Sequence, residues 1–302
     1  MKLASIIDFL EPIAFHGNIE TEITAAESLD DLNFGKQSIG WCSDKNIELI
    51  FSKPAGSVII SENGQQLLSN NPRKTKVNLI VAQNPRRTFS SVLLNFFTKK
   101  PVFGKIEKSA VLHDNLKVDK NQVIIGANVV IEEDCIIGNR VIIDHNTVIK
   151  SGTVIGEDVK IGANCTIGGV GFGYEPNEEG IYEMLPHIGN VRIEDHVEIG
   201  NNVCIDRAVM GATILHEHVK VDNLVHIAHG VSVGKNSLVI ANAMVAGSVR
   251  IGENSWIAPS SSIKQKVNIG DNALIGMGSV VLKDVEDNSV VAGVPAKKMN
   301  QN

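Results

Sequence analysis

The chain has 302 residues, enough for two domains, and a formal net charge of −6 with no basic stripe, which argues against nucleic acid as its main partner. Aromatics make up only 4% of it and glycine is frequent, a composition suited to an aliphatic-cored solenoid. No apolar run approaches the ~18 residues needed to cross a membrane, so no membrane span is expected. In chain order, the start MKLASIIDFLEPIAF is interrupted by Asp8 and Glu11 and reads as an amphipathic element rather than a signal peptide. Up to about residue 100, strand-like runs such as SVII and VNLIVA alternate with turn-rich pieces. Asn84-Pro85 then opens RRTFSSVLLNFF, whose apolar spacing suits a helix. Residues 1–100 therefore read as a small α/β domain.

Residues 101–124 form a ragged approach to a different pattern. From Ile125 to Ile167 an aliphatic residue recurs every six positions; the period returns at Ile193, Ile199 and Ile205, and runs again from Leu215 to Val281. A helix repeats at 3.6 residues and a strand at 2, so neither yields a period of six. A parallel β-helix does, because each short strand gives one inward aliphatic per flat face. Four residues after each aliphatic stands a small or β-branched residue, among them Val129, Cys135, Thr147, Thr153 and Cys165, as a narrow prism requires. The fold class is thus mainly β: a parallel β-helix over 101–282 after the α/β domain, with 283–302 as a short turn-rich tail. Cys135 and Cys165 fall in the small inward slot, and with Cys42 and Cys204 they lack metal-ligand spacing. Packing thiols in a reducing cytoplasm are expected. The period breaks twice, for a loop over 169–190 and for an excess of four residues near Val209–Thr213. The long loop carries Phe172, Tyr174 and Tyr182 and is expected to shape a binding site.

Three faces make one coil, so residues 18 apart should stack. His229, third in the hexad IAHGVS, then lies under Gly247, third in VAGSVR, at roughly the 5 Å spacing of neighbouring strands. An imidazole beside an unobstructed glycine N–H is what acyl transfer needs. The ring takes the proton of an attacking amine or hydroxyl, and the N–H steadies the oxyanion. Asp222, seven residues before His229, is the candidate orienting carboxylate. His216, His218 and His226 cluster nearby in sequence. A G-x-S-x-G nucleophile is absent, and a zinc site from His216 and His218 lacks further ligands at suitable spacing.

The segment IDRAVMGATILHEHVKVDNLVHIAHGVSVG, the GFGY loop and GDNALIGMGSVV resemble the UDP-3-O-acylglucosamine N-acyltransferase family of lipid A synthesis. The first domain does too, in GNIETEITAAESLDDLNFGKQSIGWCSD and NPRRTFSSVLLNFF. The resemblance implies a left-handed β-helix built as a homotrimer, with active sites between subunits and a nucleotide held by the first domain. It implies His229 as general base, Gly247 as oxyanion donor and Asp222 as the partner of the histidine. The family's uracil site of an aromatic, an Asn and a Tyr matches Trp41, Asp44 and Ile47, so the second aromatic face is expected to be missing. The family's second active-site histidine matches Lys266, and its acyl-length methionine falls near Ser279. The ending NSVVAGVPAKKM looks instead like the last coil of coenzyme A-dependent hexapeptide acetyltransferases, which makes Lys297 and Lys298 candidates for coenzyme A phosphates.

The expectation is an N-acyltransferase acting on a UDP- or dTDP-linked amino sugar. A short acyl-coenzyme A is the donor, and the product serves surface polysaccharide synthesis. Phe172, Tyr174, His226 and Lys266 line the acceptor side; no metal or tightly bound cofactor is required. The alternative is the lipid A enzyme itself, with a 3-hydroxyacyl chain on acyl carrier protein. A β-helix carbonic anhydrase would need a zinc histidine where Gly247 stands. A non-catalytic solenoid that binds a sugar nucleotide would tolerate His229→Ala.

Overall fold

The structure, a computed structural model, describes residues 1–299. Two compact units divide the chain, Met1–Pro101 and Val102–Asn302.

The first unit begins with α1 (Leu3–Leu10), followed by β1 (Ala14–His16), β2 (Ala25–Ala26), β3 (Ser38–Trp41), β4 (Ser57–Ile60), α2 (Glu62–Ser69), β5 (Asn78–Val81) and α3 (Pro85–Val92). The strands form one sheet in the order β1-β5-β4-β3-β2, parallel except for β1. All four residues of β4 are buried, as a parallel strand covered on both faces should be. Side chains alternate across it: Val58 and Ile60 join Leu29, Phe34 and Ile50 on one face, and Ile59 joins Leu3, Ile6 and Val92 on the other. Helix α3 starts where the sequence signals it. The Asn84 side chain accepts the Arg87 N–H at 3.1 Å, and Pro85 takes the first turn, where its missing N–H costs nothing.

The second unit is a triangular prism of two-residue strands. Its three faces are parallel sheets of 11, 9 and 8 strands, the first of which ends in one antiparallel strand. In one coil, Ile142–Ile143 lies on the first face, Val148–Ile149 on the second and Val154–Ile155 on the third. Each inward aliphatic stacks on its counterpart 18 residues away, Ile131 on Ile149 and Ile149 on Ile167. Ile155 pairs with Ile193, 38 residues on, and Ile193 with Leu215, 22 on, so the two insertions lengthen their coils by 20 and 4 residues. The small inward slots are filled as the pattern requires, with Val129, Cys135, Thr147 and Thr153 fully buried. Buried hydroxyls there donate to main-chain carbonyls: Thr147 Oγ1 to Gly162 O at 2.7 Å and Thr153 Oγ1 to Lys150 O at 2.7 Å. This satisfies groups that would otherwise be costly to bury.

Residues 102–124 already form a full coil of strands, and the tail closes the far end. Val290–Ala292 adds to the first face beside Leu274–Ile275, and Lys297–Lys298 turns back antiparallel on it. Residues 283–299 of the expected tail thus carry strands that continue the first face.

Candidate active site

Both insertions leave the prism at the corner between its second and third faces, and His229 lies on that corner. Ile227 pairs with Val245, which places Gly247 directly over His229, and Ser248 N donates to His229 O at 2.9 Å. The fit admits glycine alone. A Cβ on residue 247 would stand 2.6 Å from His229 Nε2 and 2.7 Å from Cε1. The Gly247 N–H has no acceptor among the described residues. At the same place in some other hexads the N–H is capped by a neighbouring side chain, as Ala163 by Asn201 Oδ1, Asn201 by Asn223 Oδ1 and Glu253 by Asp271 Oδ1, whereas those of Asn139, Lys235 and Gln265, like that of Gly247, have no acceptor among the described residues. The corner therefore presents a ring nitrogen and a free N–H side by side. Burial holds the His229 imidazole below its ordinary range; the adjacent His187 adds to this and Asp206 opposes it. The lowered imidazole is thus neutral at physiological pH, with a ring nitrogen able to accept a proton.

The long loop covers this corner. It contains an antiparallel hairpin, Tyr174–Pro176 with Tyr182–Met184. Phe172 is 85% exposed and tilted against Tyr174, with ring centroids 4.9 Å apart. At the loop's foot, a Cβ on Gly171 would come 3.0 Å from the Cβ of His229, so the loop rests on the base. Arg207, in the second insertion, ties the two together by donating to Gly168 O at 2.8 Å and Ser151 O at 2.9 Å. Lys266 lies exposed on the same corner one coil beyond Gly247, its N–H donating to Gly247 O. His226 points outward from the second face and bonds through Nε2 to Asp206 Oδ2 at 3.0 Å. That bond raises the His226 pKa against the opposing effect of burial.

Other expected site residues lie elsewhere. Asp222 follows the first-face strand, so the whole second face separates it from His229 within one chain. Its carboxylate accepts from Asn223 N at 2.7 Å and Ala241 N at 3.2 Å, which makes it a turn cap. Ser279 fills a small inward slot, fully buried, and accepts the Gly293 N–H at 3.1 Å; it faces the prism core and cannot line a donor groove. Lys298 bonds to Glu286 at 2.8 Å, and both Lys297 and Lys298 are exposed. His216 sits on the corner between third and first faces, between Glu194 at 3.1 Å and Ser232 at 3.2 Å. His218 stacks on His196, with ring centroids 4.7 Å apart. No three His, Cys, Asp or Glu side chains group as metal ligands among the described residues.

In the first unit, Trp41 lines a pocket of about 310 Å³. Asp44 does not. Its carboxylate accepts from Ser61 Oγ at 2.5 Å and Asn63 Nδ2 at 2.9 Å, bonds that lower its pKa and tie the 3₁₀ segment Asp44–Ser52 to the start of α2. Ile47 is buried in the core. Asn46 and Phe89 line the pocket instead, so it has an amide and a second aromatic after all.

The family model described as bacterial transferase hexapeptide (six repeats) matches residues 134–169 and 248–283. The UDP-3-O-acylglucosamine N-acyltransferase of Campylobacter lari is 40% identical over 261 residues, covering 82% of this chain and 78% of that one. The chain belongs to the UDP-3-O-acylglucosamine N-acyltransferase family. A family member from Desulfotalea psychrophila is 52% identical over 141 residues, 47% of this chain and 41% of its own. Among solved structures, the UDP-N-acetylglucosamine acyltransferase of Francisella novicida superposes with a TM-score of 0.60 at 23% identity, covering 65% of this chain and 70% of that one. That likeness concerns the fold, a left-handed parallel β-helix. The chain is an N-acyltransferase, and within the UDP-3-O-acylglucosamine N-acyltransferase fold its corner brings together His229, Gly247, Phe172, Tyr174 and Lys266. The residues that sequence reasoning missed are Asn46 and Phe89 in the pocket and His187 beside the base. Helical spacing after Trp41 would have favoured Asn46, because the segment Asp44–Ser52 is helical; His187 carries no periodic signal.

Proposed function

We propose that the protein transfers an acyl group from a thioester to the amine of a UDP-3-O-acylglucosamine-type acceptor, the lipid A reaction. The observation that carries this reading is His229 Nε2 lying against the bare Cα of Gly247, a residue whose N–H has no acceptor among the described residues. His229 accepts the proton of the sugar amine as its nitrogen attacks the thioester carbonyl. The Gly247 N–H donates to the oxygen on which negative charge develops. As the tetrahedral intermediate collapses, the C–S bond breaks and the thiolate takes the proton from His229. Phe172 and Tyr174, on the loop above, give apolar surface to the acceptor's acyl chain. The Trp41 pocket takes the pyrimidine, stacked on Trp41 with the Asn46 amide available to its polar edge. Asp222, one face away from its own His229, serves as a histidine partner only across a subunit boundary of a trimer.

The donor is an acyl chain on a phosphopantetheine arm, which acyl carrier protein and coenzyme A share. The Lys298–Glu286 pair engages one of the two tail lysines on which the coenzyme A reading rests. The deciding experiment is a mass-spectrometric turnover screen. UDP-3-O-acylglucosamine and a panel of UDP- and dTDP-amino sugars are each offered with 3-hydroxyacyl carrier protein or short acyl-coenzyme A. Product from UDP-3-O-acylglucosamine is expected, and His229→Ala should lower turnover by roughly 10²- to 10⁴-fold, the range for a general base, with the fold intact by circular dichroism. Product only from another amino sugar with acyl-coenzyme A would move the protein to surface polysaccharide synthesis. An unaffected His229→Ala would overturn the mechanism.

A further inference from the structure

We propose that His187 is a positioning residue for the transfer, a ring clamped between the two limbs of the long loop that sets the plane of the His229 imidazole. The inference rests on the acyl-transfer reading above and deepens it. His187 stands on the returning limb, where the chain rejoins the wall, and is 8% exposed. Its ring meets that of His229 edge to face, with centroids 5.4 Å apart and planes at 82°. The outgoing limb closes the other side. A Cβ on Gly171 would lie 2.8 Å from His187 Nε2, and one on Gly173 would lie 3.1 Å from Cε1. Two glycines thus leave the room that one histidine occupies, and Gly171 also abuts His229.

The hydrogen bonding defines the state of the ring. Nδ1 lies 2.7 Å from Leu185 O, a carbonyl that only accepts, so Nδ1 bears the proton and Nε2 holds a lone pair. That Nε2 is buried and has no partner among the described residues. Burying an unsatisfied polar atom costs of order 1–3 kcal/mol, and a phenyl ring would avoid the cost if packing were all that mattered. The Leu185 bond and the two glycines hold His187 as a wall of fixed orientation against His229. The groups that act on His229 are His187 from the loop and Asp206 from the end of a second-face strand, the latter already bonded to His226; Lys264 and Lys266 lie one coil further along the corner. By covering the ring and adding its own polarity, His187 supports the lowered pKa of the base. It also joins the loop bearing Phe172 and Tyr174 to the base, so an acceptor seated on the loop bears directly on the position of the proton-accepting nitrogen.

The test uses His187→Ala, which removes the wall, and His187→Phe, which keeps a ring of similar shape without the hydrogen bond. Two readouts are needed: steady-state kinetics across pH, and titration of the His229 ring resonances by NMR in the substrate-free protein. In His187→Ala, kcat should fall by about 10- to 100-fold, the scale of a misplaced catalytic group, with KM for the thioester donor little changed. The His229 titration should move upward toward that of an ordinary imidazole. His187→Phe should recover most of kcat. An unmoved His229 titration in a folded His187→Ala protein, or a His187→Phe variant as slow as His187→Ala, would overturn the proposal. The titration needs no substrate, so it still reports on His187 if the proposed acceptor proves wrong.

Discussion

At residue 247 the missing side chain is itself the functional feature. With a methyl group there, His229 Nε2 would face a carbon 2.6 Å away and the ring would have to turn out of the corner. Gly247→Ala should therefore cost about 10²-fold or more in kcat, combining a displaced base with a disturbed oxyanion donor. The change should leave the melting temperature close to wild type, because the outer corner carries little of the core. A kcat within a few-fold of wild type would show that the reacting atoms sit elsewhere. This pair was legible in the sequence because the period of six turns numbering into position: residues 18 apart in an uninterrupted stretch must stack. The period separates Asp222 from His229 within one chain. Seven residues are one more than a hexad, so Asp222 and His229 stand on successive corners with a flat face between them. His187 was invisible because the 20-residue insertion carries no register.

At the scale of the element, each corner places one residue in the left-handed region, three before the inward aliphatic. Asn dominates these positions, as at Asn128, Asn146, Asn164, Asn202 and Asn236, and glycine takes others, such as Gly152 and Gly230. Both tolerate positive φ with little cost. Leu224 is an exception, held at φ 60° with its side chain 60% exposed. A branched aliphatic in this conformation costs roughly 1–2 kcal/mol, and the exposed side chain offers little packing in return. Leu224→Asn should thus stabilise the β-helix by about 1 kcal/mol, read as a higher midpoint in denaturant with an unchanged slope. A lower midpoint would mean that Leu224 is covered in the assembled protein. The three-faced coil was legible because every hexad repeats the same demand for an inward aliphatic and a small fourth residue. Ser279 belongs to that pattern, and its slot alone marks it as a core hydroxyl. The first unit was less legible: Asp44 looked like a ligand-binding group, although what fixes it is Ser61 and Asn63, 17 and 19 residues away, which no local pattern announces.

For the whole molecule, the outward residues distinguish the three faces. Beyond residue 230 the third face shows Ser232, Arg250 and Asn268, stacked on successive strands. The first face shows Leu238, Trp256 and Leu274 in the same manner, and the second shows Met244, Ser262 and Val280. Trp256 is 45% exposed and Met244 and Leu274 each 39%, more apolar surface than an isolated solenoid wall requires. Such a distribution suits association through the first and second faces, with the third left to water. The corner bearing His229 then lies at the rim of the contact, where a neighbouring chain can complete the acceptor site and an Asp222 can approach from another subunit. Trp256→Glu would bury a carboxylate in that contact and leave the prism interior untouched, because residue 256 points outward while Ile257 fills the core. In sedimentation velocity the unaltered chain is expected as a trimer and Trp256→Glu as a monomer, with the β-rich circular dichroism spectrum retained. Turnover should fall by at least about 10-fold, since positioned groups from a neighbour are lost with the contact. A Trp256→Glu protein that still sediments as a trimer would assign the interface to another face. One that is monomeric yet fully active would show that a single chain holds the whole site.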